Sequence, residues 1–65
     1  MIVYVVEGMK HGYKEIISVT TNLEKAKSLI ITDGWGIEAW ENDVHLYDIS
    51  YYEEEGFLRS EVESK

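Results

Sequence analysis

Apolar residues in this chain come in short runs, and only one run has helical spacing. Ile2 to Glu7 is rich in Val and Ile, brief, and bounded by Gly8, which predicts a strand. A turn from Gly8 to Gly12 follows, with a glycine at each end able to take positive φ. Tyr13 to Thr20 predicts a second strand, with Ile17 and Val19 on one face and Ile16 and Ser18 on the other. The two strands read as a hairpin. Thr21-Asn22-Leu23-Glu24 matches a capping box, in which the Thr21 hydroxyl accepts from the Glu24 amide and the Glu24 carboxylate accepts from the Thr21 amide. A helix from Asn22 to about Ile31 follows from it, with Leu23, Ala26, Leu29 and Ile30 as one apolar stripe. Asp33-Gly34 stops the helix, Gly34 suiting the left-handed C-terminal position.

Beyond Gly36 the period returns to two. Ile37 to Glu41 predicts a third strand, Asn42-Asp43 a hairpin turn, and Val44 to Tyr52 a fourth strand. Glu53-Glu54-Glu55-Gly56 is a turn, and Phe57 to Val62 fits either a short strand or one helical turn. The reading is an α+β domain of ββαββ order over residues 1–62, a mostly antiparallel sheet with one helix on one face, and a frayed tail at 63–65.

The strands lack clean alternation. Ile2, Tyr4 and Val6 oppose Val3 and Val5; Val44 and Leu46 oppose His45, Tyr47, Ile49 and Tyr51; Trp40 opposes Ile37 and Ala39. Strands apolar on both faces are usually covered on both. One helix of about ten residues, ~15 Å long, covers one face. A second copy of the chain can cover the other, which predicts a homodimer with Trp40, Tyr47, Ile49 and Tyr51 at its interface. The alternative cover is the tail from Phe57 folded back over the open face.

Composition narrows the function. A 65-residue chain without Cys has neither disulfides nor a cysteine zinc site to support its small core, which again points to oligomerisation. His11 and His45 have no ligand-spaced partners in sequence. No apolar run nears the ~20 residues of a membrane span, and the start lacks the pattern of a signal peptide; a cytoplasmic protein is expected. Charge is lopsided: residues 1–32 carry +1 and residues 33–65 carry −8, with no Lys or Arg from Ser28 to Leu58. Phosphate repels such a surface, so direct nucleic-acid binding is not expected and a basic protein surface is the expected partner.

No catalytic constellation is legible. The serines lie in no nucleophile motif, and His45 beside Asp43 shares only a strand face with it. Gly34-Trp35-Gly36 follows a helix, whereas a phosphate cradle precedes one. Asp43, Asp48 and Glu53 to Glu55 offer oxygen ligands, yet none has the spacing of a calcium loop. The expectation is no catalytic residue, no metal and no cofactor. The contact stretch is expected at Glu53, Glu54 and Glu55 with Tyr51 and Tyr52, together with Trp35, which either seals the helix end or faces a partner. Two further readings are nucleic-acid mimicry, with Glu41/Asp43 and Glu53/Glu55 at the ~6.6 Å spacing of i and i+2 on a strand, and a dimeric sponge for a nucleotide signal stacked on Trp35, Trp40 and Tyr47.

The series Val3-Tyr4-Val5-Val6, Ile16-Ile17-Ser18-Val19-Thr20, Leu23-Glu24-Lys25-Ala26-Lys27 and Ile37-Glu38-Ala39-Trp40-Glu41 resembles small uncharacterised phage and prophage proteins. Small phage-encoded inhibitors of bacterial defence systems, anti-CRISPR proteins among them, are of this type. The resemblance implies an accessory role in which the protein binds and inhibits a host protein by steric or electrostatic blocking. It carries no catalytic motif and names no target.

Overall fold

Five strands and one short helix account for the structure, a computed structural model describing residues 1–62. Strands β1 (Val3–Lys10) and β2 (Tyr13–Thr20) form a hairpin. Helix α1 (Leu23–Ser28) leads to β3 (Gly36–Glu41), then β4 (Val44–Tyr52) and β5 (Gly56–Glu61). All neighbours are antiparallel in the order β2-β1-β3-β4-β5, so α1 carries the chain from one edge to the middle of the sheet. The expected order lacks the fifth strand. Phe57 to Glu61 pair with β4 and extend the sheet sideways, Phe57 opposite Tyr51 and Ser60 opposite Asp48, so these residues do not fold over the open face. The tail expected at 63–65 lies outside the described residues.

The tight turns take the conformations that sheet twist favours. His11-Gly12 and Asn42-Asp43 each link their strands with positive φ at both residues, +52° and +82° in the first, +51° and +65° in the second. That is the primed two-residue hairpin, whose twist matches the strands. Between β4 and β5 the Glu55 amide donates to the Tyr52 carbonyl at 3.2 Å, and Gly56 re-enters the sheet at φ +77°.

The helix is shorter than its apolar stripe and is capped one residue later than expected. Asn22 is the N-cap: its Oδ1 accepts from the Lys25 amide at 3.1 Å, while its own amide donates to Thr20 Oγ1 at 3.1 Å. These bonds replace the Thr21–Glu24 box. At the other end the Ser28 hydroxyl donates to the Lys25 carbonyl at 2.6 Å, competing with the backbone ladder. Leu29 and Ile30 then close on carbonyls three residues back. Gly34 does adopt a positive φ, +90°, but in a separate turn closed by the Trp35 amide on the Thr32 carbonyl.

The core lies between the helix and one face of the sheet. Tyr4, Val6, Ala26, Ile30, Ile37, Ala39, Tyr47 and Ile49 are buried, with Leu23, Leu29, Trp35 and Tyr51 packed around them. Ala26 faces the sheet without a bulky side chain, which lets the backbones approach. The Trp35 indole lies on Gly8, where a Cβ would come within 2.8 Å of the ring. Toward β5 the cover is thinner and partly cationic: Lys27 lies 5.4 Å from the Phe57 ring centroid, and the Arg59 guanidinium 3.8 Å from that of Tyr47.

Two β-bulges reassign faces. Val6 pairs with Ser18 and Glu7 with Ile16, leaving Ile17 as an extra residue on β2; Ala39 pairs with Tyr47 and Trp40 with His45, leaving Leu46 extra on β4. An inserted residue breaks the period of two. Ile17 therefore packs toward the core, and Val19 is turned to the open face with Val5. His45 joins Trp40 on that open face, away from Tyr47. The interface expected from Trp40, Tyr47, Ile49 and Tyr51 is thus not one surface. Tyr47 and Ile49 are 8% and 7% exposed within the core, and Trp40 is on the opposite side of the sheet.

Two substitutions test this packing. Gly8→Ala pushes a methyl into the Trp35 ring and should cost ~1–3 kcal/mol; in a Trp40→Phe background it should also red-shift Trp35 emission. Asp43→Gly should raise the melting temperature by ~2–4 °C, because glycine takes the left-handed φ of the β3–β4 turn without the Cβ clash, less its own unfolded-state entropy.

Candidate functional site

Two places on the surface gather side chains with chemistry. The first is the corner where the β4–β5 turn meets the loop leaving α1. Backbone bonds lace that loop to the end of β4: the Gly34 amide donates to the Tyr51 carbonyl at 2.8 Å, and the Tyr51 amide to the Trp35 carbonyl at 3.0 Å. Asp33 completes the brace, its Oδ1 accepting from the Glu53 amide at 2.8 Å. The result is a depression of about 590 Å³ lined by Asp33, Glu53, Glu54 and Glu55 with Ile31, Thr32 and Tyr52. Four carboxylates line it, and among the described residues no basic side chain does. Ile31 is 79% exposed and Tyr52 43%, so apolar area lies beside the charge.

The residues expected at a contact stretch are divided here. Glu53, Glu54, Glu55 and Tyr52 come together there. Tyr51 and Trp35 do not: Tyr51 turns toward the helix side, its ring 5.0 Å from Phe57, and Trp35 lies over Gly8 at the margin of the core. Asp33 and Ile31 were legible only as the end of a helix, and a fold was needed to bring them beside residues twenty positions later.

The second place is the centre of the open face. Register sets Glu38 opposite both Val5 on β1 and Asp48 on β4, with Glu7 one step along β1. The Leu46 bulge adds His45 to this group. Its Nε2 lies 2.7 Å from Asp48 Oδ1, and its ring stacks on Trp40 at 4.6 Å between centroids and 7° between planes. The Trp40 indole N–H donates to Glu38 Oε1 at 3.2 Å. Glu7 pairs with Lys14 at 3.4 Å. Burial, then the hydrogen bond and like charge of Glu38, hold the Glu7 carboxyl above its ordinary value against the opposing pull of Lys14. Beside this group is a shallow depression of about 230 Å³, into which Glu7, Glu38, Asp48 and Ser50 face where Gly36 has no side chain.

Several sequence expectations change here. The partner of His45 is Asp48, not Asp43, which stands in the turn. Asp48 is remote in the fold from Glu53 to Glu55, so the oxygen-ligand group read along the sequence does not assemble. Glu53 and Glu55 belong to a turn, and Glu41 ends a strand while Asp43 lies beyond it, so neither pair has the strand spacing on which phosphate imitation rested. Trp35, Trp40 and Tyr47 occupy the core margin, the open face and the core, so within one chain they do not form a stacking site. No described helix is long and apolar enough to cross a membrane.

Compared with protein-family models, with curated proteins and with solved structures, the chain matches none of them.

The brace at the acidic corner is open to measurement. Asp33→Ala should destabilise by ~1 kcal/mol and speed hydrogen exchange of the Glu53 amide about tenfold. Asp33→Asn, which keeps the acceptor oxygen, should preserve most of that protection.

Proposed function

We propose that this chain is a small binding protein rather than an enzyme, and that it blocks a basic surface of a host protein, most readily one that handles nucleic acid. The observation that carries the reading is the corner of Asp33, Glu53, Glu54 and Glu55, four carboxylates in one depression bordered by exposed Ile31 and Tyr52. Charge of one sign attracts and orients an opposite surface over a Debye length of about 8 Å, and the apolar neighbours add contact area on arrival. Proteins that handle nucleic acid expose the complementary basic surface. The phage and prophage resemblance supports the same class, an inhibitor that acts by occupying a surface. Self-association belongs to this reading too. The apolar half of the open face, exposed Ile16 and Val19 with half-buried Val3 and Val5, would receive a second copy, and pairing there leaves the acidic corner free.

The test is affinity capture from nuclease-treated bacterial lysate with two baits, the wild-type chain and Glu53→Lys/Glu54→Lys/Glu55→Lys. A specific basic protein should be retained by the first and lost by the second, with a dissociation constant at least ~10-fold weaker and unchanged circular dichroism. Affinity for that protein should also fall steeply with salt. Equal capture by both baits would remove the acidic corner from the reading.

A further inference from the structure

We infer that the centre of the open face is a divalent-cation site, formed by Glu38, His45 and Asp48 for a borderline first-row ion of the zinc type. The placement of the donors carries this. One ligand atom from each of the three residues lies within 4.8 Å of the other two. Donors around an ion at bond lengths of ~2.0–2.2 Å stand about 3–3.5 Å apart, so side-chain rotation alone closes the set. Glu38 on β3 and Asp48 on β4 are each paired on both edges, so ladders hold their backbone positions, and His45 is paired with Trp40 on β3 beside the Leu46 bulge.

Neighbouring groups orient the donors. Trp40 fixes the plane of the His45 ring by stacking and holds one oxygen of Glu38 through its indole N–H. That is the part outer partners play around bound metals. Chemistry selects the ion: one imidazole and two carboxylates suit Zn²⁺, Co²⁺, Mn²⁺ or Fe²⁺, whereas Ca²⁺ and Mg²⁺ prefer all-oxygen sets. Charge agrees. Among the described residues Glu7, Glu38 and Asp48 place three carboxylates on this face, and Lys14 pairs with Glu7. A divalent ion would neutralise the remaining two. The depression beside Glu38 and Asp48 leaves room for water on the open side of the ion. The acidic corner, by contrast, offers carboxylates and, among the described residues, no imidazole. An ion here ties β3 to β4 and binds the folded chain in preference to the unfolded one, so it stabilises a domain that has no disulfide.

The experiment adds ZnCl₂ or CoCl₂ to the metal-free full chain and follows binding by calorimetry, melting temperature and histidine NMR. The expected result is one equivalent bound with a midpoint below about 100 µM, and a rise in melting temperature on the order of 5–10 °C at saturation. The His45 ring resonances should move while those of His11 stay. His45→Gln and Asp48→Asn should each weaken binding at least ~10-fold. Glu53→Gln/Glu54→Gln/Glu55→Gln should leave it unchanged, which separates this site from the partner-binding corner. Should either single variant fail to fold, the wild-type NMR response decides by itself. No saturation up to ~1 mM metal, movement of His11 in place of His45, or loss of binding in the triple glutamine variant would each overturn the site.

Discussion

The ladder between β1 and β3 makes this molecule one structure. On either side of it lies a meander that would be marginal alone, the β1–β2 hairpin and the β3–β4–β5 unit. Residues 3–7 pair with residues 36–40 across it, some thirty positions apart in the chain. Tyr4 and Val6 meet Ala39 and Ile37 there, four of the eight buried core residues, and Ala26 and Ile30 close over them from the helix. Two small residues allow the fit. Ala39 is fully buried opposite Tyr4, and Gly36 has no room for a Cβ, which would come within 2.9 Å of the Ile49 carbonyl oxygen. The short helix matters less for its own stability than for carrying the chain across the sheet so that this ladder can form.

Local chemistry was legible in the sequence wherever a few neighbouring residues decide the outcome. Tyr13–Thr20 and Val44–Tyr52 are strands with the expected limits, and the stripe of Ala26 and Ile30 faces the core. Asn42-Asp43 turns the chain without glycine because Asn and Asp tolerate left-handed φ. The helix ended early because Ser28 competes for a carbonyl, an effect smaller than any propensity pattern resolves. The faces were lost for a different reason. A bulge is one unpaired residue, and nothing in Ile16-Ile17 or His45-Leu46-Tyr47 marks which residue is skipped; pairing partners decide that. One skipped residue moved His45 from the core side to the open side and so created the group with Glu38 and Asp48. The fifth strand was ambiguous because Phe57 to Val62 is short and its residues are mostly exposed.

The open face also explains why alternation looked incomplete. Its β1 and β2 half is aliphatic, with Val3, Val5, Ile16 and Val19, while its β3 and β4 half is polar, with Glu38, Asp48, His45 and Trp40. A strand-by-strand reading averages these halves. Taken across the sheet, the division runs between β1 and β3, and Glu7 sits on the boundary with its charge answered by Lys14 from the edge strand.

The excess negative charge is therefore held in two physically different ways. At the β4–β5 corner the carboxylates are well solvated, and mutual repulsion among them is worth only a few tenths of a kcal/mol per pair in water. Such charge is inexpensive to keep, and its field extends outward, which suits the encounter with a large basic surface. On the open face the carboxylates stand on rigid central strands, are partly desolvated, and are pinned by an indole N–H, an imidazole and one lysine. Burial first, and then the neighbouring Glu38, raises the pKa of Glu7. Charge held so closely has a short reach and a fixed geometry, which suits a small cation. What separates the two groups is solvent exposure and the pairing of the strands that carry them rather than the number of carboxylates.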